Sequence, residues 1–404
     1  MKITTFLAVA IATALTLTQA APTEEYAGHK ISLSLNPDHR RDYRSAMTKL
    51  TRRYPQMKWR RDPRRPYRDY FAGAKVTVTN YGPDYEYFGP VQVGSPGQTV
   101  QMFFDTGSSD IWFPSSKCET EACKKRTRFD ASKSSSYRSD PRTWEIKYAD
   151  GSAASGYLGS DIVNIGGMKI RQTVGLAMNI SSEFARAPED GIFGLAFKSL
   201  QSVDGVNTYM DNAMATRAVA LPVISVYLPS KRMNGGEGGY YLFGAIERTR
   251  YIGDLTWVPV TKAKYWQVAL QGAKFNGQSV GNFASSAIVD TGTTLVIVSD
   301  ALAAALHKNI KGAFISESEG GWVVPCSLIS STESVSFTLA GKDFHIPLAD
   351  LAWDPSLDDS SLCFSGIQGG LDDMWILGDM FIKNNYCVFD HSKNPKIGIA
   401  PVRY

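Results

Sequence analysis

The stretches MFFDTGSSDIW, from Met102 to Trp112, and AIVDTGTTLVI, from Ala287 to Ile297, decide the fold. Each has an Asp-Thr-Gly triplet directly after a run of bulky apolar residues and before small hydroxyl residues. At average residue usage, a given position begins such a triplet with a probability of about two in ten thousand. Two copies in the same context, 185 positions apart, indicate an internal repeat.

A second pair of stretches supports the repeat. DGIFGLAF has Gly194 after two apolar residues, 89 positions beyond Asp105, and MWILGDMF has Gly378 after two apolar residues, 88 positions beyond Asp290. Apolar-glycine pairs are common in β-rich proteins, but the nearly equal offsets favour duplication of a whole structural unit.

The rest of the 404-residue chain is typical of β structure, in two or three domains. Short runs rich in Val, Ile, Tyr, Phe and Thr alternate with Gly, Asn, Asp and Ser turns. Two stretches favour helices: SDALAAALHKNIKG, with Ser299 or Asp300 as N-cap and Gly312 at its end, and TYMDNAMATRAVA. The sequence therefore predicts a mostly β protein with few helices.

The N-terminus has the features of a secretory signal. Lys2 precedes the apolar stretch FLAVAIATALTL, and Thr18-Gln19-Ala20 offers a small-residue cleavage site. The apolar stretch is short for a membrane span, and no later stretch is apolar enough for one. We expect a secreted, soluble, extracellular protein without a membrane anchor.

Charge is distributed unevenly along the chain. Residues 21–70 contain thirteen Lys and Arg against six Asp and Glu, whereas the whole chain has a net charge of +4. The residues from Phe71 onward are therefore acidic. The basic leader could bind nucleic acid or be a solvated tail, but a pro-segment that clamps the acidic body explains the asymmetry better. We expect no nucleic-acid partner.

The five cysteines suggest two disulfides in an oxidising compartment. We pair Cys118 with Cys123 and Cys326 with Cys363, which leaves Cys387 free and buried in an apolar strand. The sequence has no CxxC motif and its five histidines are scattered, so we expect no metal site.

The doubled triplet suits acid-base catalysis. If pseudo-twofold symmetry brings the halves together, Asp105 and Asp290 face each other, and one pKa falls while the other rises because the two share a proton. The hydroxyl three residues after each aspartate, on Ser108 or Thr293, can bond its outer oxygen, and the threonine inside each triplet can lock its loop. The ionised member can take a proton from a water while the protonated member polarises a substrate carbonyl.

Five stretches in order carry a family resemblance: NYGPDYEYFGPVQVGSPGQ, FFDTGSSDIWFPSSKC, YADGSAASGYLGSD, AIVDTGTTLV and ILGDMFIKNNYCVFD. Together they resemble the pepsin family of aspartic endopeptidases and, within it, the rhizopuspepsins secreted by mucoralean fungi. The resemblance covers almost the whole chain. It implies two pseudo-twofold-related β lobes with a cleft between them, peptide hydrolysis at acid pH after activation of a zymogen, no cofactor, and a monomer.

The resemblance also assigns roles by position. Asp105 and Asp290 resemble the catalytic pair, and YADGS resembles the flap, a hairpin that closes over the substrate. Asp150-Gly151 is a hairpin-turn dipeptide, which agrees with a flap. Tyr148 would be the flap tyrosine and Trp112 its hydrogen-bonding partner. The residues expected to contact substrate are Gly107, Ser108, Tyr148, Asp150, Gly151, Gly292 and Thr293, with Thr106, Thr291 and Trp112 in support.

The resemblance implies a preference for large apolar residues on both sides of the cleaved bond. By resemblance to fungal relatives that have aspartate at this flap position, we expect Asp150 to add tolerance for lysine before that bond, including activation of trypsinogen, because an ion pair is less screened in a partly desolvated cleft. Animal pepsins carry an uncharged residue there. The alternative is that Asp150 merely shapes the turn.

The predicted organisation is a signal peptide over 1–20, a pro-segment over 21–70, an N-terminal lobe over 71–247 and a C-terminal lobe over 248–404. Lys58, in MKWRR, is the candidate pro-segment lysine that pairs with the two aspartates as an intramolecular inhibitor. Asn179, in the sequon Asn-Ile-Ser, is a candidate glycosylation site.

Two other classes of function fit part of this pattern. A catalytically inactive relative that binds or inhibits proteins usually has a disturbed triplet, and both triplets are intact here. A secreted protein whose cleft holds a small ligand is a second alternative. Hydrolysis of denatured haemoglobin or casein at acid pH separates an enzyme from both. A retroviral-type enzyme is excluded by the internal duplication.

Overall fold

The computed structural model describes residues 73–82, 84–148, 151–230, 232, 238–356 and 359–403. The predicted signal peptide, the pro-segment with Lys58, and the flap residue Asp150 lie outside the described residues.

Strands dominate this part of the chain, which confirms the predicted mostly β class. The strands are β1 Ala74–Thr77, β2 Thr79–Tyr81, β3 Glu86–Val93, β4 Gln98–Asp105, β5 Ile111–Pro114, β6 Arg138–Lys147, β7 Ala153–Ile165, β8 Met168–Ile180, β9 Gly191–Gly194, β10 Val223–Tyr227, β11 Tyr240–Phe243, β12 Thr256–Ala263, β13 Trp266–Phe275, β14 Gln278–Ser279, β15 Ser285–Val289, β16 Val296–Ile297, β17 Phe314–Ser316, β18 Gly321–Pro325, β19 Ser334–Leu339, β20 Lys342–Pro347, β21 Ala352–Pro355, β22 Leu362–Ser365, β23 Ile367–Gln368, β24 Met374–Leu377, β25 Asn385–Asp390 and β26 Lys396–Pro401.

Helices are short. The α-helices are α1 Glu121–Lys124, α2 Tyr209–Ala215, α3 Asp300–His307, α4 Leu348–Leu351 and α5 Asp379–Ile382. The 3-10 helices are Ala131–Lys133, Ser182–Arg186, Lys198–Leu200, Arg248–Arg250 and Cys326–Ser330.

The two predicted helical stretches form α2 and α3. Thr208 caps α2 in a reciprocal capping box with Asp211, and the Ser299 hydroxyl accepts the Leu302 amide at the start of α3. Helix α3 ends at His307, so the prediction that it ends at Gly312 is wrong. At this end the Asn309 side chain donates to the Ala305 carbonyl at 2.8 Å, and the amides of Asn309 and Ile310 bond carbonyls only three residues back.

The two halves repeat one arrangement of strands. In the first half β4 runs parallel to β9 and β9 runs antiparallel to β5; in the second half β15 runs parallel to β24 and β24 runs antiparallel to β16. Each triplet thus follows a strand that pairs with the strand of the repeated apolar-glycine element. This is the pseudo-twofold relation of two lobes that the repeat predicts.

One sheet joins the halves. This 14-stranded sheet begins with β1, β11, β10, β25, β26 and β12, so that β10 of the first half pairs with β25 near the C-terminal end. The predicted lobe boundary after Glu247 falls between β11 and β12 of this sheet. Trp266 packs there against Phe197, Phe389 and His391, which closes the core between the halves.

Both predicted disulfides are present. Cys118 is bonded to Cys123 with a Cα–Cα distance of 5.9 Å, and Cys326 to Cys363 with 4.9 Å. Cys387 is free and buried, and burial raises the pKa of its thiol, so it stays uncharged.

Candidate active site

The two triplets meet at the centre of the molecule. Strand β4 ends at Asp105, β15 ends just before Asp290, and both aspartates are fully buried. Gly107 shows how close the loops are, because a Cβ atom there would lie 2.6 Å from Asp290 Oδ1. A side chain at position 107 would therefore displace the opposite carboxyl group, which explains why this position requires glycine.

The two carboxyl groups are held by the same pattern of bonds. Each accepts from the amide of its triplet glycine and from the hydroxyl three residues on, as Ser108 and Thr293 were expected to do. The bonds are Gly107 N to Asp105 Oδ1 at 2.7 Å, Ser108 Oγ to Asp105 Oδ2 at 2.5 Å, Gly292 N to Asp290 Oδ1 at 2.9 Å and Thr293 Oγ1 to Asp290 Oδ2 at 2.7 Å.

The threonines of the triplets lock the loops to each other. The Thr106 amide donates to Thr291 Oγ1 at 3.0 Å, and the Thr291 amide donates to Thr106 Oγ1 at 2.9 Å. Each hydroxyl then donates across the junction, Thr106 to the Val289 carbonyl and Thr291 to the Phe104 carbonyl. Because each bond joins one half to the other, neither loop holds its geometry without its partner.

The repeated apolar-glycine element packs closely against the backbone of each triplet loop. A Cβ atom on Gly194 would lie 2.4 Å from the backbone carbon of Ser109, and one on Gly378 would lie 2.1 Å from the Thr293 carbonyl oxygen. The close approach lets neighbouring backbone bond the triplets, as in Leu195 N to Asp105 O at 2.8 Å. Both glycines are thus explained by backbone contact.

The predicted flap is the hairpin between β6 and β7. The Tyr148 amide donates to the Ser152 carbonyl at 2.8 Å, and Gly151 turns the chain with φ of 85°. Trp112 Nε1 donates to the Tyr148 hydroxyl at 2.7 Å, the bond expected from sequence. The Phe184 ring packs edge-on against Tyr148 and Trp112, with centroid distances of 6.0 and 5.3 Å.

Sequence reasoning did not single out Asp379. It follows Gly378, is buried, and its Oδ1 has no hydrogen-bond partner among the described residues. Burial, and then the charge of Asp290, raise the pKa of Asp379 well above its usual range, against the opposing effect of Lys383. The signal was an acidic residue inside the apolar run ILGDMF.

Asp110, in the run SSDIWF, was also missed. It is buried, and it accepts from Trp144 Nε1 at 2.9 Å and from the Ser202 hydroxyl at 2.5 Å. Burial raises its pKa, and the bonds from Ser202 and Trp144 oppose that rise. Asp110 therefore anchors the end of the first triplet loop to two other segments.

The remaining predicted positions lie elsewhere. Asn179 is exposed on β8, opposite Ser155 of β7. No group of three or more His, Cys, Asp or Glu side chains suited to a metal ion occurs among the residues that the structure describes. Within those same residues, no helix combines the length and hydropathy that a membrane span needs.

The chain is similar in sequence to known aspartic proteases. Residues 86–402 match the family model described as eukaryotic aspartyl protease. The chain is 38% identical over 406 residues to rhizopuspepsin-4 of Rhizopus niveus, covering 98% of this chain and 97% of that one. It is 35% identical over 410 residues to syncephapepsin of Syncephalastrum racemosum, covering 99% of each. It is 37% identical over 337 residues to pepsin A of Callithrix jacchus, covering 81% of this chain and 84% of that one.

Proposed function

Since this chain belongs to the eukaryotic aspartyl protease family, we propose that Asp105 and Asp290 are its catalytic pair and that it is secreted as a zymogen active at acid pH. The chain is an aspartic-type endopeptidase of pepsin-like fold. The observation that carries the proposal is a pair of buried carboxyl groups, held by the same bonds on cross-locked loops, with Gly107 of the first loop directly against Asp290 of the second.

The chemistry follows from one shared proton. In the proposed mechanism one carboxyl group of the pair is charged and the other carries the proton. The charged group takes a proton from a water as the water oxygen attacks the peptide carbonyl carbon, and the protonated group donates to the carbonyl oxygen. The tetrahedral diol then collapses: the C–N bond breaks, the leaving nitrogen takes the proton that the first carboxyl group received from water, and the second carboxyl group regains its proton from a diol hydroxyl. No bond forms between enzyme and substrate.

The fixed bonds on each carboxyl group contribute preorganisation. The glycine amides and the hydroxyls of Ser108 and Thr293 hold Asp105 and Asp290 before substrate arrives, so little reorganisation is needed during the reaction. Tyr148 closes over the peptide with its hydroxyl held by Trp112, and closure excludes bulk water from the reacting atoms. Gly151 and the two triplet glycines allow close approach of the peptide backbone.

The test is hydrolysis of denatured haemoglobin at acid pH by wild type, Asp105→Asn and Asp290→Asn. Each substitution removes one of the two exchangeable carboxyl groups, and we expect a loss of at least about a thousandfold with the fold unchanged. Asp204→Asn, at an exposed aspartate, is the matched control and keeps wild-type activity. Near-normal turnover in either single variant would refute the assignment.

Zymogen activation rests on charge. The basic leader and the acidic body attract at neutral pH, with Lys58 as the candidate partner of the catalytic pair. Acid protonates body carboxylates and weakens the clamp, so the precursor converts itself below about pH 5. N-terminal sequencing after incubation at pH 7 and pH 4 tests this. A precursor that is fully active at pH 7 with its leader attached contradicts it.

We also propose that Asp150 admits lysine before the scissile bond, beside a general preference for large apolar residues. The ratio of kcat/KM for matched Lys and Leu peptides is the measurement, in wild type and Asp150→Thr. The variant should lose cleavage after lysine and keep cleavage after leucine. An unchanged ratio makes Asp150 a turn residue only.

Asn179 is proposed to carry an N-linked glycan. Its side chain is exposed, as the sequon requires, and secretion supplies the compartment. A mass decrease on enzymatic deglycosylation, absent from Asn179→Gln, is expected. Equal masses before and after treatment contradict the proposal.

A further inference from the structure

A hydrophobic cluster separate from the main core lies under the flap. We call six of its buried residues the flap cluster: Trp112, Cys118, Cys123, Trp144, Tyr148 and Phe184. The cluster joins the first disulfide to the predicted flap tyrosine. Phe184 is the member that touches both Tyr148 and Trp112, so its position sets the surface on which Tyr148 rests.

Phe184 has weak local support. It belongs to the 3-10 helix Ser182–Arg186, and helices of this kind are short and have poor hydrogen-bond geometry. The Phe184 amide bonds the Ser181 carbonyl at 3.2 Å, and the Ala187 amide bonds the Phe184 carbonyl at 3.0 Å. The other backbone carbonyls of this segment and of the residues just after it need hydrogen-bond donors from elsewhere in the chain.

Arg126 supplies that support. Its Nη2 donates to the carbonyls of Phe184 and, at 3.3 Å, Ala187, and its Nε donates to the Glu189 carbonyl at 3.0 Å. Its Nη1 donates to the Ala122 carbonyl at 2.9 Å. One guanidinium group thus bonds three carbonyls of residues 184–189 and one in helix α1, next to Cys123.

The planar guanidinium group suits this arrangement. It presents five N–H donors in a rigid fork, whereas lysine presents three donors from a single flexible atom. Burial lowers the Arg126 pKa, and the nearby charges of Glu189, Asp190 and Glu86 oppose that effect. Arginine remains charged at any working pH of this enzyme, so its bonds do not depend on acid.

We propose that Arg126 is a positioning residue for the reaction: it holds residues 184–189 so that Phe184 supports Tyr148 in the closed flap, and it ties this support to the Cys118–Cys123 loop. The proposal rests on the flap role given to Tyr148 above. Arg126 does not act on the substrate itself; it acts through Phe184 and Tyr148.

The chain offers a matched control in the same loop. Arg128 is exposed, two residues from Arg126, and its Nη1 donates instead to the Cys118 carbonyl at 3.1 Å. Arg128→Gln removes the same charge and a similar carbonyl bond without removing a bond to residues 184–189.

The first experiment is a kinetic cycle. Arg126→Gln should lower kcat/KM about tenfold or more, because displacement of a positioning group by about 1 Å can cost two orders of magnitude. Arg126→Lys should recover part of the loss, and Arg128→Gln should stay near wild type. In a Tyr148→Ala background Arg126→Gln should have little further effect, because coupled residues are not additive. An equal loss in both backgrounds, or no loss, overturns the proposal.

The second experiment does not depend on activity. Hydrogen exchange at the Tyr148 and Gly151 amides, which close the flap turn, should be about tenfold faster in Arg126→Gln than in Arg128→Gln, with the β25 amides unchanged. Equal exchange in the two variants overturns the proposal even if the enzyme proves inactive. An inactive wild type instead contradicts the proposed function. If Arg126→Gln does not fold, Phe184→Leu replaces it in both experiments, with the same expected and contradicting outcomes.

Discussion

The two halves hold their aspartates by the same bonds but bury a second carboxyl group in different places. The first half has Asp110 five residues after Asp105, where the second half has Leu295 five residues after Asp290. The second half has Asp379 directly after its supporting glycine, where the first half has Leu195. Duplication preserved the backbone that carries the chemistry, but the electrostatic surroundings of the halves diverged.

The two buried carboxyl groups also differ in their partners. Asp110 accepts from Trp144 Nε1 and from the amide and hydroxyl of Ser202. Asp379 Oδ1 has no hydrogen-bond partner among the described residues and lies in the field of Asp290. Asp110 is therefore a structural anchor, whereas Asp379 is a buried carboxyl group whose pKa is raised by burial and by the charge of Asp290. The two halves share the backbone contacts around their triplets and differ in the buried side chains beside them.

The largest expected effect tests the shared backbone. Gly194→Ala and Gly378→Ala each place a Cβ atom within 2.4 Å of backbone, and we expect each to cost about 3 kcal/mol or more, by overpacking. Thermal unfolding should show similar large losses, or no folded protein, for both. Gly272→Ala is the control, since its nearest neighbour would be 3.7 Å away. A loss of stability in only one of the two variants would show that the two glycines do not have equivalent roles.

Leucine at each buried carboxyl group tests the difference between the halves. Asp110→Leu leaves three donors from Trp144 and Ser202 without an acceptor, so we expect a loss of stability of about 3 kcal/mol. Asp379→Leu removes a group with an unpaired oxygen, so about 1 kcal/mol or less is expected. Unfolding temperatures at one fixed pH compare the two. Equal losses would show that the carboxyl groups are equivalent after all.

His391, at the junction of the halves between Phe197 and Trp266, tests the response to acid. Burial lowers its pKa to about 4, against the weaker attraction of Asp211. Its folded pKa lies below the ordinary value, so its full contribution to stability is present above about pH 6.5 and is lost as pH falls from there to 4. The loss is about 2 to 3 kcal/mol.

His391→Phe keeps a buried ring and removes that proton-linked loss. The fall in unfolding temperature between pH 7 and pH 4 should therefore be smaller in this variant than in wild type. His345→Phe, at an exposed histidine, serves as the control. If His391→Phe and wild type lose stability equally on acidification, the junction does not limit the acid stability of the protein.

The last comparison between the halves concerns the cross-locked threonines. Thr106→Val and Thr291→Val each remove a hydroxyl that donates one bond and accepts another across the junction. We expect similar losses of about 2 kcal/mol for the two. Thr→Ser at either position keeps the bonds and should restore most of the stability. Markedly unequal losses of stability would indicate that the bonds of one threonine stabilise the junction of the two loops more than the bonds of the other.

Much of the fold and of the candidate site was predictable from sequence because these features depend on local patterns. The doubled triplet, the hydroxyls three residues later and the apolar-glycine element all mark positions where backbone packs against backbone. The helix caps at Thr208 and Ser299 depend on residues within one turn. Both disulfides followed from cysteine spacing and the expected compartment.

The features that sequence did not reveal depend on contacts between residues far apart in the chain. The partners of Asp110 lie 34 and 92 positions away, so nothing beside it in the sequence reveals its burial. Arg126 bonds backbone carbonyls, which every residue type supplies and no pattern marks. The sheet that joins the halves pairs β10 with β25, strands more than 150 residues apart.

The most direct measurement of the central claim is a titration of wild-type hydrolysis with a tight-binding statine-type peptide at acid pH. The proposal that the two aspartates act as a single site predicts that activity falls linearly to zero at one equivalent of peptide per chain. Activity that persists at saturating peptide, or that requires two equivalents to disappear, would show that Asp105 and Asp290 do not act as one catalytic pair.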